Sequence, residues 1–354
     1  MAESTDATTN SLAGLSVSNA VDASRPDAFP GVVRHQEYWF DDGSVVVIAQ
    51  DTAYKIHKSM LARHSEVFNG LFSVPQTSAD DHLDGCPVVP VPDSSADFSN
   101  LLKALYDTSR DSSLFQLDRR LSFSVVAGLY ELAHKYQIDH LMEQMLVRLK
   151  SCFTDNLREW DALDHVTTGH GQRYTVVRSP SLEVLSSTDA IRAINLARRT
   201  GALTMLPAAI YLASFHHADV LLTGIARPDG TLDTLSREDL VRCLDARVLF
   251  AHWTYTKLAW ITTGRVTTGC KTPAACADAL TALSMKIKQG FSKPKAAYFA
   301  LDPFAEVVKE LTKEYGVCKK CGTAMRARAV EERRVMWRNL PQDLGLDLED
   351  WGKS

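Results

Sequence analysis

The first thirty residues are Ser, Thr, Ala, Asp and Asn with no apolar period. Such a segment cannot bury enough surface to offset the entropy of ordering, so 1–30 reads as a disordered tail. From Tyr38 the pattern changes. Ser44 to Ala49 (SVVVIA) is a β-branched run, Gln50-Asp51-Thr52 a polar break, and Ala53 to His57 (AYKIH) a second run, which together predict a β-hairpin. The unbroken apolar stretch Val45 to Ile48 predicts a strand covered on both faces. Two short helices follow: Lys58 to Arg63, then one capped by Ser65 and ended by Pro75, with Phe68, Leu71 and Phe72 at helical spacing. Thr77 to Gly85 reads as a surface loop, and Pro87 to Pro92 (PVVPVP) as a short edge strand because its prolines cannot donate ladder hydrogen bonds.

Helical periods dominate beyond this point. Phe98, Leu101, Leu102, Leu105 and Tyr106 form one stripe, Val125, Leu129, Leu132, Ala133 and Tyr136 a second, and Ile138, Leu141, Met142, Met145 and Leu149 a third, whose start Asp139 is placed to cap. Asp161 to Ser187 is turn-rich and predicts an irregular connection, with a strand available at Tyr174 to Val177. A helix capped by Ser187 or Thr188 should run to Arg199 and stop at Gly201, and Pro207 suits the first position of the next. Ser236 caps a helix whose predicted buried face is Leu240, Cys243, Leu244 and Val248. Thr272-Pro273 opens another with Cys276, Leu280, Leu283 and Ile287 on one stripe. Met325, Ala329, Met336, Trp337 and Leu340 should dock a terminal helix, and Trp253, Trp260 and Trp337 read as packing residues. The expectation is an α+β domain over 31–155, an irregular connection over 156–187, and a mainly helical C-terminal domain over 188–354.

Composition narrows the class. The chain has 354 residues, 45% of them hydrophobic and 23% charged, ordinary for a globular protein of about two domains. A net charge of -4 gives no single-signed field to draw the whole molecule onto nucleic acid or membrane. The longest apolar run, Ala208 to Ala213, is far short of the roughly 20 residues a bilayer span needs. The N-terminus lacks a basic region followed by an apolar stretch, and seven irregularly spaced cysteines fit reduced thiols, which places the protein in the cytoplasm or nucleus.

Cys318-Lys-Lys-Cys321 followed by Gly322 has metal-ligand spacing and supplies half of a tetrahedral site. Cys270 and Cys276 are the candidate other half, the second at the start of a helix where thiolates are favoured. A closed structural zinc site stands beside two alternatives: unliganded thiols, with Cys276 on an apolar stripe, and a redox dithiol. Cys243 lies on an apolar face and reads as core. Lys319, Lys320, Arg326, Arg328, Arg333, Arg334 and Arg338 form a basic segment, with Arg333 and Arg334 as candidate nucleic-acid contacts. The acidic Leu346 to Asp350 stretch can neutralise it locally, which argues against that use. Gly169-His-Gly171 is followed by Tyr174 where a phosphate loop would carry Gly, so it reads as an ordinary turn. No Gly-x-Ser-x-Gly, His-Glu-x-x-His or phosphate loop occurs, so the reading is non-enzymatic, with no catalytic residue assigned.

Tyr38 to Gln76 resembles the start of a BTB/POZ domain, through Asp42-Gly43, His57, Leu61-Ala62, Ser65 and Phe68. The likeness continues through LLKALY (Leu101 to Tyr106) and LAHKYQI (Leu132 to Ile138), covering about 31–155. The phrase YWFDDGSVVVIAQ, with LPAAIY, LVRCL, Cys-x-x-Cys and WRNLP, is similar to a large fungal, basidiomycete-type group of BTB proteins with a helical C-terminal region. The resemblance implies a structural role for His57, self-association as a homo-oligomer, and protein partners bound as an adaptor or scaffold. In BTB proteins that recruit cullin ubiquitin ligases, the edge of the helix bearing Leu71 and Phe72, with a hydrophobic-x-Glu pattern after it, forms the cullin surface. Val74-Pro75-Gln76 stands there, and a neutral amide cannot supply the carboxylate's charge-assisted bonds, which argues against a cullin. A transcriptional cofactor using the basic segment is the other alternative.

Overall fold

The structure is a computed structural model that describes residues 29–73, 82–107, 114–167, 175–259, 265–291, 300–301, 308–309 and 312–352. Residues 1–28 of the predicted tail, Val74, Pro75, Gln76, Gly169 to Gly171 and Trp260 lie outside the described residues.

The hairpin forms as β2 (Val45–Ala49) and β3 (Thr52–Ile56), antiparallel, around a two-residue turn in which Gln50 takes φ 51°. β1 (Val33–Trp39) runs parallel to β3 on one side. On the other, β5 (Cys86–Val91) runs parallel to β2 and also pairs with β4 (His82–Leu83). The order is β1-β3-β2-β5-β4, so part of the predicted 77–85 loop is a strand, and β5 is not strictly an edge. Since β4 pairs only with Cys86 and Pro87, no strand among the described residues lies on the outer side of Val88 to Val91, in keeping with its prolines. Every residue of β2 is buried: Val45, Val47 and Ala49 face the helices, while Val46 and Ile48 pack with Ala53, Cys86 and Val88 on the far face. The two-sided burial expected of an unbroken apolar strand is therefore met.

Helices α1 (Lys58–His64) and α2 (Glu66–Ser73) meet at Ser65, whose hydroxyl accepts from Phe68 N at 3.0 Å and donates to Tyr136 O at 2.5 Å. That single hydroxyl caps one helix and fixes it to the end of another. α3 (Ser95–Tyr106) is capped by Ser94, and α4 (Phe123–Lys135) with α5 (Asp139–Lys150) forms the predicted helical hairpin. Asp139 sits inside the first turn rather than at the cap, which Ile138 occupies without a side-chain bond, so its charge acts on the helix dipole. α4 is buried more widely than one stripe, at Phe123, Val126, Ala127, Gly128, Leu129, Tyr130, Leu132 and Ala133. It has covers on two sides, α3 on one and a helix of the second region on the other.

That second region opens with α6 (Leu157–Ala162) and a small sheet rather than an irregular connection. β7 (Asp164–Thr167), β8 (Thr175–Arg178) and β9 (Leu182–Leu185) are antiparallel neighbours, and β9 pairs in parallel with β6 (Leu121–Ser122), which leads into α4. α7 (Ser186–Thr200) lies against α4 and ends at Gly201, φ 73°. Its N-cap is Leu185, ahead of the predicted Ser187 or Thr188, and Asp189 reaches back to accept from Leu185 N at 2.7 Å. α8 (Leu206–Ala213), with Pro207 in its first turn, is wholly buried; α9 (Ala218–Thr223) and the hairpin β10 (Ile225–Ala226) with β11 (Leu232–Asp233) follow. α10 (Arg237–Ala259) is capped by Ser236 as expected, but its buried line is Asp239, Cys243, Ala246, Phe250 and Trp253. Val248, expected inside, is 71% exposed, because a helix packed at 243, 246 and 250 turns position 248 outward. α11 (Pro273–Phe291) and α12 (Lys319–Asp343) complete the described elements.

Two polar devices join the regions. Arg148, fully buried on α5, donates to Arg119 O and Ser181 O at 2.9 and 2.8 Å and to Leu114 O and Gln116 O at 3.1 and 2.6 Å. Around α4, Glu131 pairs with Arg192 at 3.2 Å and Arg199 at 2.6 Å, and Asp97 stands 3.8 Å from Arg192. Burial raises the Asp97 carboxyl and Arg192 opposes it. A Cβ on Gly128 would sit 2.0 Å from Asp97 Oδ1, so only glycine lets α3 and α4 close here.

Arg148→Met keeps the apolar stem and strips the donors from four carbonyls. It should lower unfolding stability by about 3 kcal/mol or more, at roughly 1–3 kcal/mol for each carbonyl left dry. A urea midpoint unchanged from the parent protein would contradict this role.

Candidate metal centre and interaction surface

The four cysteines singled out in the sequence converge. Cys270, Cys276, Cys318 and Cys321 place their sulfurs within 4.8 Å of one another. Each arrives from a local structure that suits a thiolate. Cys270 ends a turn closed by its own amide on Thr267 O, and Cys276 sits in the first turn of α11. Cys318 is the N-cap of α12, its sulfur accepting from Cys321 N at 3.5 Å, while Cys318 N donates to Cys276 Sγ at 3.4 Å. Two helix N-termini thus aim amides and the positive ends of their dipoles at one cluster of sulfurs. The Cys321 amide leads in holding the Cys318 thiol down, to about 7. At Cys270 the Thr272 amide also lowers, but burial and hydrogen bonds with the other three thiols outweigh it and push the group up to about 11.

Cys270 Sγ and Cys318 Sγ are 3.7 Å apart, far beyond the roughly 2.05 Å of a disulfide. Metal–sulfur bonds of about 2.3 Å in a tetrahedron put sulfurs about 3.8 Å apart, so the spacing fits a four-thiolate metal site. A four-cysteine site is closed and leaves no position for substrate. The remaining cysteines, Cys86, Cys152 and Cys243, are buried singly, and burial raises the Cys152 and Cys243 thiols to about 11 and about 12.

Around the cluster is a second, small core of Leu280, Leu283, Val308, Met325 and Ala329, separate from the main one. α12 bridges the two. Its first half lies in the small core; its second inserts Trp337 and Leu340 into the main core, with Trp337 Nε1 donating to Asp155 O at 2.8 Å. Arg333, offered by the sequence as a nucleic-acid contact, is buried in this joint: it is paired with Asp161 and donates to Leu301 O at 2.6 Å. It cannot reach a phosphate. Arg334 is exposed beside Glu331 at 3.6 Å. Every second-region partner of Arg333 comes from residues far away in sequence, so its basic appearance gave no sign of burial.

In the first region His57 is structural. Its Nδ1 lies 3.1 Å from the Tyr106 hydroxyl, its amide donates to that oxygen at 3.0 Å, and Nε2 is 3.2 Å from Asp42 Oδ1. Asp42, Gly43 and His57 therefore tie the turn before β2 to the starts of α1 and the end of α3. Gly43 is required because a Cβ there would meet Lys55 Cγ at 2.7 Å. Leu61 is buried, Ala62 half-buried, and Phe68 stacks on Tyr136 with ring centres 4.1 Å apart. Burial, with Asp93 accepting from its hydroxyl, raises the Tyr136 phenol. Leu71 is 36% exposed and Phe72 half-buried against Phe68, so the end of α2 presents a partly apolar edge.

Residues 34–152 match the family model of the BTB/POZ domain. The chain carries a BTB/POZ domain. The match covers about a third of the chain and ends just after α5, so it takes in β1 to β6 and α1 to α5. BTB domains are protein–protein interaction modules. No curated protein matches the chain closely enough to count as a relative. Among the described residues no helix is long and apolar enough to cross a membrane.

Burial separates the two neighbouring arginines of α12. Arg333→Ala should cost about 2–4 kcal/mol, leaving Leu301 O and Asp161 without their donor, whereas Arg334→Ala should stay within about 0.5 kcal/mol of the parent. Equal midpoints for the two variants in chemical denaturation would contradict the assignment.

Proposed function

We propose that the protein is a non-enzymatic interaction module that self-associates through its BTB domain and binds protein partners as an adaptor or scaffold. The observation that carries the reading is the BTB match over 34–152 together with a sheet and five helices sharing one core, in which Leu61 and Phe68 of the motif are buried. The exposed apolar edge at Leu71 suits a partner contact. A cullin is disfavoured as that partner, because Gln76 lacks the charge of the expected Glu. The fungal BTB resemblance and a cytoplasmic or nuclear location accord with this reading.

We propose further that the four cysteines hold a structural zinc ion. Zinc prefers four-thiolate tetrahedra, and the 3.7 Å sulfur spacing supports it. Among the described residues the second core has five buried apolar side chains, with Val266, Tyr315 and Val317 packed against them, so an ion joining the starts of α11 and α12 would add a substantial further link. When bound, the ion would supply that link and no catalysis.

Light scattering on a sizing column tests the first reading. The expected mass is that of a dimer, unchanged on mixing with the N-terminal domain of a BTB-binding cullin; a monomer at micromolar concentration would refute self-association, and a stoichiometric cullin complex would establish the ligase-adaptor alternative.

Elemental analysis tests the second. One zinc per chain is expected, and chelation should lower the melting temperature, more readily as pH falls because protons compete for the thiolates. Protein purified without metal, whose melting temperature zinc does not raise, would discard the site.

A further inference from the structure

Charge along the chain is unevenly divided. Residues 260–328 carry twelve Lys and Arg against five Asp and Glu, whereas the rest of the chain carries 27 against 38. The segment that builds the cysteine cluster is thus a basic unit, with a surplus of seven, on an otherwise acidic protein. A divalent metal held by four thiolates carries two negative charges, which offsets less than a third of that surplus.

The fold gathers part of this charge at one place. Lys319 and Lys320 stand between Cys318 and Cys321, Lys271 follows Cys270, Arg265 opens the turn that leads to it, and Lys313 precedes the approach to Cys318; all five are exposed. Because the four sulfurs lie within 4.8 Å of one another, Lys271, Lys319 and Lys320, each next to a cysteine in sequence, are brought together, with Arg265 and Lys313 five residues before Cys270 and Cys318. Lys320 shows how tightly. Its Nζ lies 2.5 Å from where a Cβ on Gly269 would stand, and Gly269 has φ +76°, so glycine both makes the turn and leaves room for the ammonium. The same rim carries Thr267, Thr268 and Thr272 and the backbone of Gly269. Among its described residues there is no exposed aromatic side chain of the kind that anchors protein interfaces. Lysines, hydroxyls and accessible backbone with no apolar centre suit the repeating phosphates of a nucleic-acid backbone.

We infer that the cysteine-cluster end of the protein is a nucleic-acid phosphate-binding surface, formed by Arg265, Lys271, Lys313, Lys319 and Lys320 and read without base specificity. The inference uses a different face from Arg333, which is buried. It rests on the cysteine cluster holding these loops together, and metal content is measured separately so that the two readings can fail apart.

The test is fluorescence anisotropy of the full-length, zinc-loaded protein with a labelled duplex DNA of arbitrary sequence and with a labelled polyglutamate of equal length. With four to five phosphates neutralised, affinity for DNA should fall on the order of a hundredfold between 50 and 200 mM salt. The triple variant K271E/K319E/K320E should lose measurable binding while keeping its zinc content and melting temperature, and K103E, on α3 of the BTB domain, should bind as the parent does. Absence of DNA binding at 50 mM salt, a triple variant that binds as well as the parent, or stronger binding of polyglutamate than of DNA would each overturn the proposal, the last by pointing to an acidic protein. Should the protein purify without metal and gain no stability from added zinc, yet bind DNA at 50 mM salt and lose that binding in the triple variant, this inference would stand while the zinc reading fell.

Discussion

The joint between the two halves of this molecule depends on one buried guanidinium. Arg148 projects from the last turn of α5 into a space where three carbonyls of the 114–119 segment and one from the β8–β9 turn converge. An unpaired carbonyl in an apolar interior costs as much as a lost hydrogen bond, and four would be prohibitive without a donor able to fork. Arginine's planar, multiply donating head meets that need where lysine's point charge would not. Once the turn at Ser181 is held there, Leu121 can pair with Leu182, and β6 connects the first region's helical hairpin to the second region's sheet.

This constraint explains why α4 is buried on more than one face. A BTB-like hairpin packed only on its own sheet would leave the side of α4 that carries Ser124 and Glu131 wet. Here α7 covers that side, and Glu131 is drawn into a net of Arg192, Arg199 and Arg227. Such a net contributes little through each exposed pair, but Arg192 is itself buried, so its partners are needed to offset its desolvation. The two halves therefore behave as one packed body with a continuous core, while the cysteine-cluster end has a core of its own.

What could be read in the sequence follows from how local each cause is. The β2–β3 hairpin, the Ser65 and Ser236 caps, the Gly201 stop and Pro207 at a helix start are decided within a few residues, and the structure has them where the pattern put them. The sheet of β7 to β9 was hidden because its strands have four residues each and its partner β6 lies some sixty residues upstream. Val248 was misplaced because a stripe of apolar residues gives a helix's period but not which of two adjacent lines meets the neighbour. Arg333 failed for the same reason in reverse: a charged residue in a basic run gives no sign of a distant carboxylate waiting for it.

The cysteines mark the boundary between these cases. Cys318 and Cys321 were recognisable as half a site from spacing alone, while the partnership with Cys270 and Cys276, separated by more than forty residues, required the two helix starts to meet. Their meeting also decides what the lysines between them can do. In an extended segment Lys319 and Lys320 would be two solvated charges; wrapped around four sulfurs, they share one small surface with Lys271 and Arg265, and repulsion among them becomes a cost of folding. When bound, a divalent metal with four thiolates at the centre would supply negative charge that offsets part of this repulsion, so metal and basic rim would stabilise each other.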